Sequence, residues 1–352
     1  MWRPCGTIDE NYRKDLAIAR TPLQICLTVA GLAALFLLPL WVPGHLLNNI
    51  NYIAITIVAL QGVNLLTGMT GQITIGQTGF MAVGAYTMAL LVKYAGFSFW
   101  TATPVAMLAA GLAGIVVGLP SLRIKGFYLA LATVAAQFII SWLIVNVRPD
   151  LTGGTDTLTL DAPRIGGVVL NTQSHLFYLC MSVAVFITVF TRNIQRSRIG
   201  RAFVAIRDND RAAEVMGISV YRYKLLSFFL CSVYGGLAGA LYAVWMRGIS
   251  VDHFGLLESI WYLGMLIVGG MGSVPGAIFG AILIRSLNLL VTYTGPVVGK
   301  MFDATRGTAV EIGMGPVLFG VVVLAFLMFE PRGLARIWER FKAYYRLWPF
   351  SY

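Results

Sequence analysis

Side chains able to carry out chemistry are sparse in this 352-residue chain, and they are not grouped as an enzyme requires. The four cysteines form no CxxC pair, and the three histidines, His45, His175 and His253, are isolated at the ends of apolar runs. Zinc and redox sites need such residues at close, regular spacing. None of the 15 acidic residues lies well inside an apolar segment, and Glu258 sits only at the edge of one. We therefore expect no metal site, no buried proton relay and no catalytic residue.

The sequence also lacks a nucleotide-binding pattern. The string nearest to a phosphate-binding loop, G-P-V-V-G-K at 295–300, has three residues between its glycines where four are needed. It continues with Met301 where a hydroxyl group must bind Mg²⁺. The chain itself is expected to bind no cofactor, so any chemical energy that drives it must come from a partner.

One basic side chain, Arg285, falls deep inside an apolar segment. It lies about ten residues into the run 275–292, and a cation at that depth in a membrane must face protein or water. We expect Arg285 to pair with the carboxylate of a passing substrate or with a group on a partner chain.

The longest hydrophilic stretch, residues 192–224, predicts two short helices. Asp210 is a suitable N-cap, Glu214 lies in the first turns and Gly217 fits the C′ position. Apolar residues at spacings of four and three predict a second amphipathic piece over 199–207. Two interpretations are open: the stretch holds the chain against anionic lipid, or it docks into a groove of a soluble partner. The docking interpretation takes in Gly200, Arg201, Arg207, Asp208, Asp210, Ala212, Ala213, Glu214 and Gly217.

Two glycine-rich stretches, residues 68–79 and 269–276, interrupt apolar segments. Each follows one segment and precedes another, and paired breaks of this kind indicate a pathway built on unwound backbone. Close helix packing through small residues explains the same glycines, and both interpretations stay open. The pathway interpretation takes in Gln72, Thr74, Gly76, Gln77, Thr78, Gly79, Gly269, Gly270, Gly272, Ser273 and Arg285.

Polar side chains form stripes on two of the apolar segments. Gln61 and Asn64 share one helical face, and Thr133, Gln137 and Ser141 share another. Each stripe either lines a path or forms hydrogen bonds with a neighbouring helix.

The elements that must position these residues are apolar helices. Hydrophobic residues make up 58% of the chain and charged residues 12%, which nearly excludes a soluble fold. We predict an all-α polytopic membrane protein with about ten transmembrane segments, some of them broken by glycine, in which the short eighth segment either crosses the membrane or is re-entrant. The segments are 22–42, 50–67, 76–92, 100–119, 127–146, 175–191, 225–245, 258–269, 275–292 and 314–329.

The net charge of +11 is distributed unevenly along the chain. If the ten segments alternate in direction, 19 of the 26 Lys and Arg lie on the side that holds both termini, and six lie on the other. Because cytoplasmic loops carry the basic excess, both termini are predicted to be cytoplasmic, and no nucleic acid is expected as a partner. The predicted organisation is a cytoplasmic N-terminal segment (1–21), a transmembrane domain (22–329) that contains the loop 192–224, and a basic cytoplasmic tail (330–352).

Several strings resemble the permeases of ABC importers of the branched-chain amino acid type. A-A-E-V-M-G looks like the coupling loop of those permeases, and the likeness extends from about residue 50 to residue 334, with the longer of the two permease subunits the closer match. The strings that carry it are A-A-E-V-M-G (212–217), T-G-Q-I-T-I-G-Q-T-G-F-M-A-V-G-A-Y (70–86), L-P-S-L-R-I-K-G-F-Y-L-A (119–130), L-T-G-G-T-D (151–156), I-V-G-G-M-G-S-V-P-G-A-I-F-G-A (267–281) and E-P-R-G-L (330–334).

The resemblance implies a non-catalytic permease subunit in a bacterial inner membrane, which imports branched-chain or other hydrophobic amino acids. A homologous second permease would form the other half of the pathway. Two ABC ATPase subunits would hold ATP and Mg and would contact the loop around 200–218, and a periplasmic binding protein would deliver the substrate. Thr157 after Asp156 departs from the family pattern, which leaves urea, short amides or aromatic acids open as substrates. A gradient-coupled secondary transporter is the alternative of another class.

Overall fold

The computed structural model describes residues 22–121, 124, 126–165, 168–169, 172–299, 304–330 and 332–347. The predicted N-terminal segment, 1–21, and the last five residues of the predicted tail lie outside these ranges.

The described part of the chain is almost entirely helical, which confirms the all-α class. Each of the ten predicted apolar segments coincides with a helix, and shorter helices lie between them. In chain order the helices are α1 (Pro22–Leu37), α2 (Gly44–Val63), α3 (Gln77–Ala95), α4 (Phe99–Ser121), α5 (Phe127–Asn146), α6 (Pro149–Thr152), α7 (Gln173–Arg196), α8 (Arg198–Asp208), α9 (Asp210–Val215), α10 (Val220–Met246), α11 (Leu256–Gly269), α12 (Val274–Gly299), α13 (Ala304–Phe329) and α14 (Gly333–Leu347).

Fewer helices than the predicted ten are long and apolar enough to cross a membrane. Within the described residues there are seven such helices, or eight if the bent pair α13 and α14, which meet at 50°, forms one span. The predicted short eighth segment is among the seven, because the 3₁₀ turn Val251–Phe254 extends α11 to a 19-residue span. The apolar part of α1 is shorter, and α3 is not in the group. About ten crossings is therefore not confirmed.

Helix α3 lies in the middle of the fold, against α4 and α10. A Cβ atom built on Gly84 would overlap the backbone of Gly236 in α10, and one built on Gly239 would overlap the carbonyl of Met81. The two helices therefore meet backbone to backbone, as small residues allow in membrane helices. This contact supports helix packing as the reason for glycines in these segments.

Within the residues that the structure describes, four two-residue strands accompany the helices. β1 (Leu158–Thr159) pairs antiparallel with β4 (Gly248–Ile249), and β2 (Arg164–Ile165) pairs with β3 (Val168–Val169). Leu158 lies opposite Ile249, and both side chains are buried. The first pair therefore fastens the loop after α6 to the end of α10.

Candidate coupling site and glycine breaks

The hydrophilic stretch between α7 and α10 folds into the two predicted helices, α8 and α9. Ser197 caps α8, because its Oγ accepts hydrogen bonds from the backbone N–H groups of Ile199 (3.2 Å) and Gly200 (3.5 Å). Phe203 and Ile206 are buried at a spacing of three residues, so one face of α8 packs on the protein body. The amphipathic piece predicted over 199–207 is present with one additional residue at each end.

The predicted N-cap of α9 was wrong by one residue. Asn209 is the N-cap, and its Oδ1 accepts from the backbone N–H groups of Arg211 (3.0 Å) and Ala212 (3.1 Å). Asp210 already lies inside the helix, where its Oδ2 accepts from Lys224 Nζ at 2.7 Å. Gly217 has a φ of +81°, as expected of a C′ residue.

The outer surface of α9 ends in two exposed apolar side chains that the sequence reasoning missed. Val215 is 87% exposed and Met216 is 81% exposed. The sequence contained one signal for this exposed apolar surface, because both residues directly precede Gly217, the predicted C′ residue. We call Val215 and Met216 the apolar tip of α9. Of the residues predicted to dock, Gly200 and Ala213 are buried within the protein, whereas Ala212 and Glu214 are exposed beside the apolar tip. A short helix with an exposed apolar end and a charged flank suits insertion into a groove.

The two predicted glycine breaks are in direct contact, because a Cβ atom built on Gly68 would overlap the backbone of Gly272. Asn64 Oδ1 accepts a hydrogen bond from Gly272 N at 2.8 Å, and its Nδ2 donates to the carbonyl of Ser273 at 3.2 Å. Gln61 Nε2 donates to the carbonyl of Val274 at 3.1 Å. The stripe of Gln61 and Asn64 therefore binds the backbone of the second break, which fits the neighbouring-helix interpretation.

A buried polar network joins α3, α5 and α11. The hydroxyl groups of Thr78 and Ser259 are 2.6 Å apart, and Ser259 Oγ donates to Gln137 Oε1 at 2.9 Å. Gln137 Nε2 donates in turn to the carbonyl of Phe254 at 3.0 Å. Gln137 and Thr133 are buried and Ser141 is half-buried, so the second stripe also faces neighbouring helices.

The remaining polar residues predicted for the pathway are bonded to the protein as well. Gln72 Nε2 donates to Ser227 Oγ at 2.9 Å, and Gln77 Nε2 donates to the carbonyl of Ala59 at 3.3 Å. The backbone N–H of Gly76 donates to Thr74 Oγ1 at 3.3 Å.

The predicted pathway glycines are in close contact with other parts of the fold. Gly76 and Gly79 lie against Thr133 and Gln137 of α5, and Gly269 lies against Gly276. Most of the predicted pathway residues of the two breaks are buried, whereas Gly272 and Ser273 are half-buried.

Arg285 forms an ion pair with a carboxylate of its own chain. It is buried, and its Nη2 donates to Glu258 Oε2 at 3.2 Å while its Nε donates to Thr56 Oγ1 at 3.2 Å. The guanidinium carbon lies 4.0 Å from the centre of the Tyr52 ring, where cation–π attraction adds to the pairing. The predicted pairing of Arg285 with a substrate carboxylate or with a group on a partner chain stays a prediction. The Glu258 side chain remains 35% exposed, so one end of the pair is accessible.

The sequence of residues 46–329 matches the family of branched-chain amino acid transport system permease components. The chain belongs to this family. The match confirms the resemblance, and its bounds are close to the predicted 50–334. Members of the family are the membrane permease subunits of ABC transporters, and these subunits are not catalytic.

The relatives of this permease are named for the transport of different substrates. It is 34% identical over 247 residues to the high-affinity branched-chain amino acid permease LivM of Escherichia coli, an alignment that covers 63% of this chain and 58% of LivM. It is 24% identical to the probable branched-chain amino acid permease LivH of Methanocaldococcus jannaschii, over 83% of this chain and 92% of LivH. It is 24% identical to the nucleoside permease NupC of Lactococcus lactis, over 73% of this chain and 84% of NupC. No solved structure matches the chain.

In this permease the ends of α7 and α8 also contact the glycine breaks. Arg207, in the last turn of α8, donates from Nη1 to the carbonyl of Gly68 at 3.2 Å. Gln195, at the end of α7, donates from Nε2 to the carbonyl of Gly272 at 3.3 Å. The candidate docking surface and the candidate pathway are therefore in contact within one chain.

Proposed function

We propose that this permease is one membrane subunit of an ATP-driven importer of branched-chain amino acids. The observation that carries the proposal is α9, a short exposed helix with an apolar tip, in a chain of the ABC permease family. ATPase subunits, which hold ATP and Mg, dock on α8 and α9. LivM of Escherichia coli, named for branched-chain amino acids, supports the substrate class.

The proposed topology places α8, α9 and both termini in the cytoplasm of a bacterium, with the protein in its inner membrane. The basic residues of 192–224 support this orientation through the positive-inside rule. They also lie close to the anionic lipid of that leaflet. A homologous permease forms the other half of the pathway, and a periplasmic binding protein delivers the substrate. The likeness to both LivM and LivH relatives supports a pair of related permeases.

The proposed substrate pathway runs past the glycine breaks and the Arg285–Glu258 pair. Because the breaks are packed together here, transport has to separate them and expose their polar groups to the substrate. An amino acid carries an ammonium and a carboxylate, which complement Glu258 and Arg285 respectively. The partly exposed Glu258 is accessible to the ammonium group, and the buried Arg285 becomes accessible to the carboxylate only after the ion pair has separated.

Uptake into proteoliposomes tests the function. We expect labelled leucine, isoleucine or valine to accumulate when the chain is reconstituted with its second permease, ATPases and binding protein, and ATP is present. Urea, short amides, aromatic acids and nucleosides serve as competing substrates. Uptake by the isolated chain, driven by an ion gradient, would contradict the proposal and favour a secondary transporter.

Replacing Glu214 with Lys is expected to weaken ATPase docking. The exposed carboxylate lies beside the apolar tip of α9, so reversing its charge introduces repulsion if the ATPase groove is matched to an acid. We expect retention of the ATPases in a pull-down to fall about tenfold, equivalent to about 1.4 kcal/mol. Glu339→Lys makes the same charge change on an exposed site of α14 and is the control. Undiminished ATPase retention by Glu214→Lys would exclude docking at this helix.

A further inference from the structure

The end of α8 rests directly on the first glycine break. Arg207 Nη1 donates to the carbonyl of Gly68, while its Nε and Nη2 donate to Asp208 Oδ1 at 3.2 and 3.1 Å. Asp208 thus orients the guanidinium group. A Cβ built on Gly71 would lie only 2.9 Å from Arg207 Cγ. Because Gly71 has no side chain, α8 can approach the backbone of the first break this closely.

The carbonyl that Arg207 binds belongs to an unusual turn. Residues Asn64–Met69, at the end of α2, form a π-helical turn that contains Gly68. Such turns are rare, and many occur at functional sites. Gly71, just after the turn, has a φ of +76°, and Gly272 in the second break has a φ of +80°. Glycine adopts these backbone conformations without strain.

The contact extends from the first break to the second. Asn64, at the start of the π-helical turn, accepts from Gly272 N, and Gln195 holds the carbonyl of the same glycine. A Cβ on Gly272 would lie 3.2 Å from Arg207 Nη1. One guanidinium group therefore lies where α8, the π-helical turn and the second break meet.

We propose that Arg207 is the positioning residue that transmits movement of α8 and α9 to the two glycine breaks. The inference rests on the proposed ATPase docking, and it assigns Arg207 to the inward contact with Gly68 in place of contact with the ATPase. When the docked helices shift, Arg207 displaces the Gly68 carbonyl, and Asn64 carries the displacement to Gly272 and α12. The π-helical turn is the element that changes conformation.

The test measures uptake and ATP hydrolysis in the same proteoliposomes containing the complete importer. Arg207→Met keeps the apolar stem against Gly71 and removes the hydrogen bond to Gly68. Arg207→Ala removes both. For each, we expect substrate transported per ATP hydrolysed to fall at least about tenfold, with ATPase retention unchanged. Arg207→Lys retains one donor and is expected to recover part of the coupling. Arg222→Ala removes an exposed basic side chain from the start of α10 and is the control.

The outcomes separate this inference from the proposed function. If the wild-type importer shows no ATP-dependent uptake, the proposed function fails. If the wild type transports and Arg207→Met transports the same amount per ATP, the transmission role is excluded. Loss of ATPase retention in Arg207→Met also overturns the inference, because it would make Arg207 part of the docking contact.

Discussion

Replacing Gly84 with Ala is expected to destabilise the permease by about 3 kcal/mol, at the upper end of the usual cost of overpacking. The added methyl group would overlap the backbone of Gly236, and backbone atoms cannot rotate out of the way as a side chain can. Either α3 or α10 has to move, and both lie at the centre of the fold. Gly239→Ala is expected to act in the same way against Met81.

Gly320→Ala in α13 is the matched control, since no atom lies within 4 Å of a Cβ built there. It is expected to be neutral or to stabilise the protein by about 0.5–1 kcal/mol, because alanine restricts the unfolded chain. Stability can be followed in detergent by labelling Cys180 and Cys231, which are buried free thiols. The other two cysteines are first replaced by serine. Equal melting temperatures for the Gly84 and Gly320 variants would exclude a backbone contact between α3 and α10.

Replacing Arg285 with Leu is expected to reduce both stability and uptake. The substitution leaves the Glu258 carboxylate without its cation and the Thr56 hydroxyl without a donor. Breaking a fully buried ion pair costs about 3–5 kcal/mol, and the cost here is expected to be nearer 2 kcal/mol because Glu258 is partly exposed.

The double variant Arg285→Leu with Glu258→Leu separates structure from transport. Removing both charges is often nearly neutral for stability, so we expect the double variant to melt close to the wild type. If the pair meets the substrate, ATP-dependent uptake in vesicles stays low although the fold is restored. Wild-type uptake by this stable double variant would reject Arg285 as a pathway residue and leave the ion pair a structural role.

The sequence predicted the helices well because apolar runs and capping residues are local signals. It could not predict which polar side chains would meet, because periodicity defines the face of a helix and says nothing about its neighbour. Asn64 and Gly272 are 208 positions apart, and Arg285 and Glu258 are 27 positions apart on different helices, so no local pattern pairs them. The N-cap of α9 was misplaced for a related reason. Asn209 and Asp210 are both good caps, and the tertiary contact of Asp210 with Lys224 favours Asn209 as the cap.

The central position of α3 has a consequence for how the protein is made. This helix carries Gln77, Thr78 and Lys93, and it is not among the described helices that are apolar enough to cross a membrane unaided. Much of its surface is covered by α10, which is synthesised more than a hundred residues later. Until α10 has been synthesised, α3 cannot pack against Gly236 and Gly239 of that helix. The packing of α3 is therefore completed only after α10 has been synthesised, and we expect chains truncated before Val220 to be preferred targets of membrane quality-control proteases.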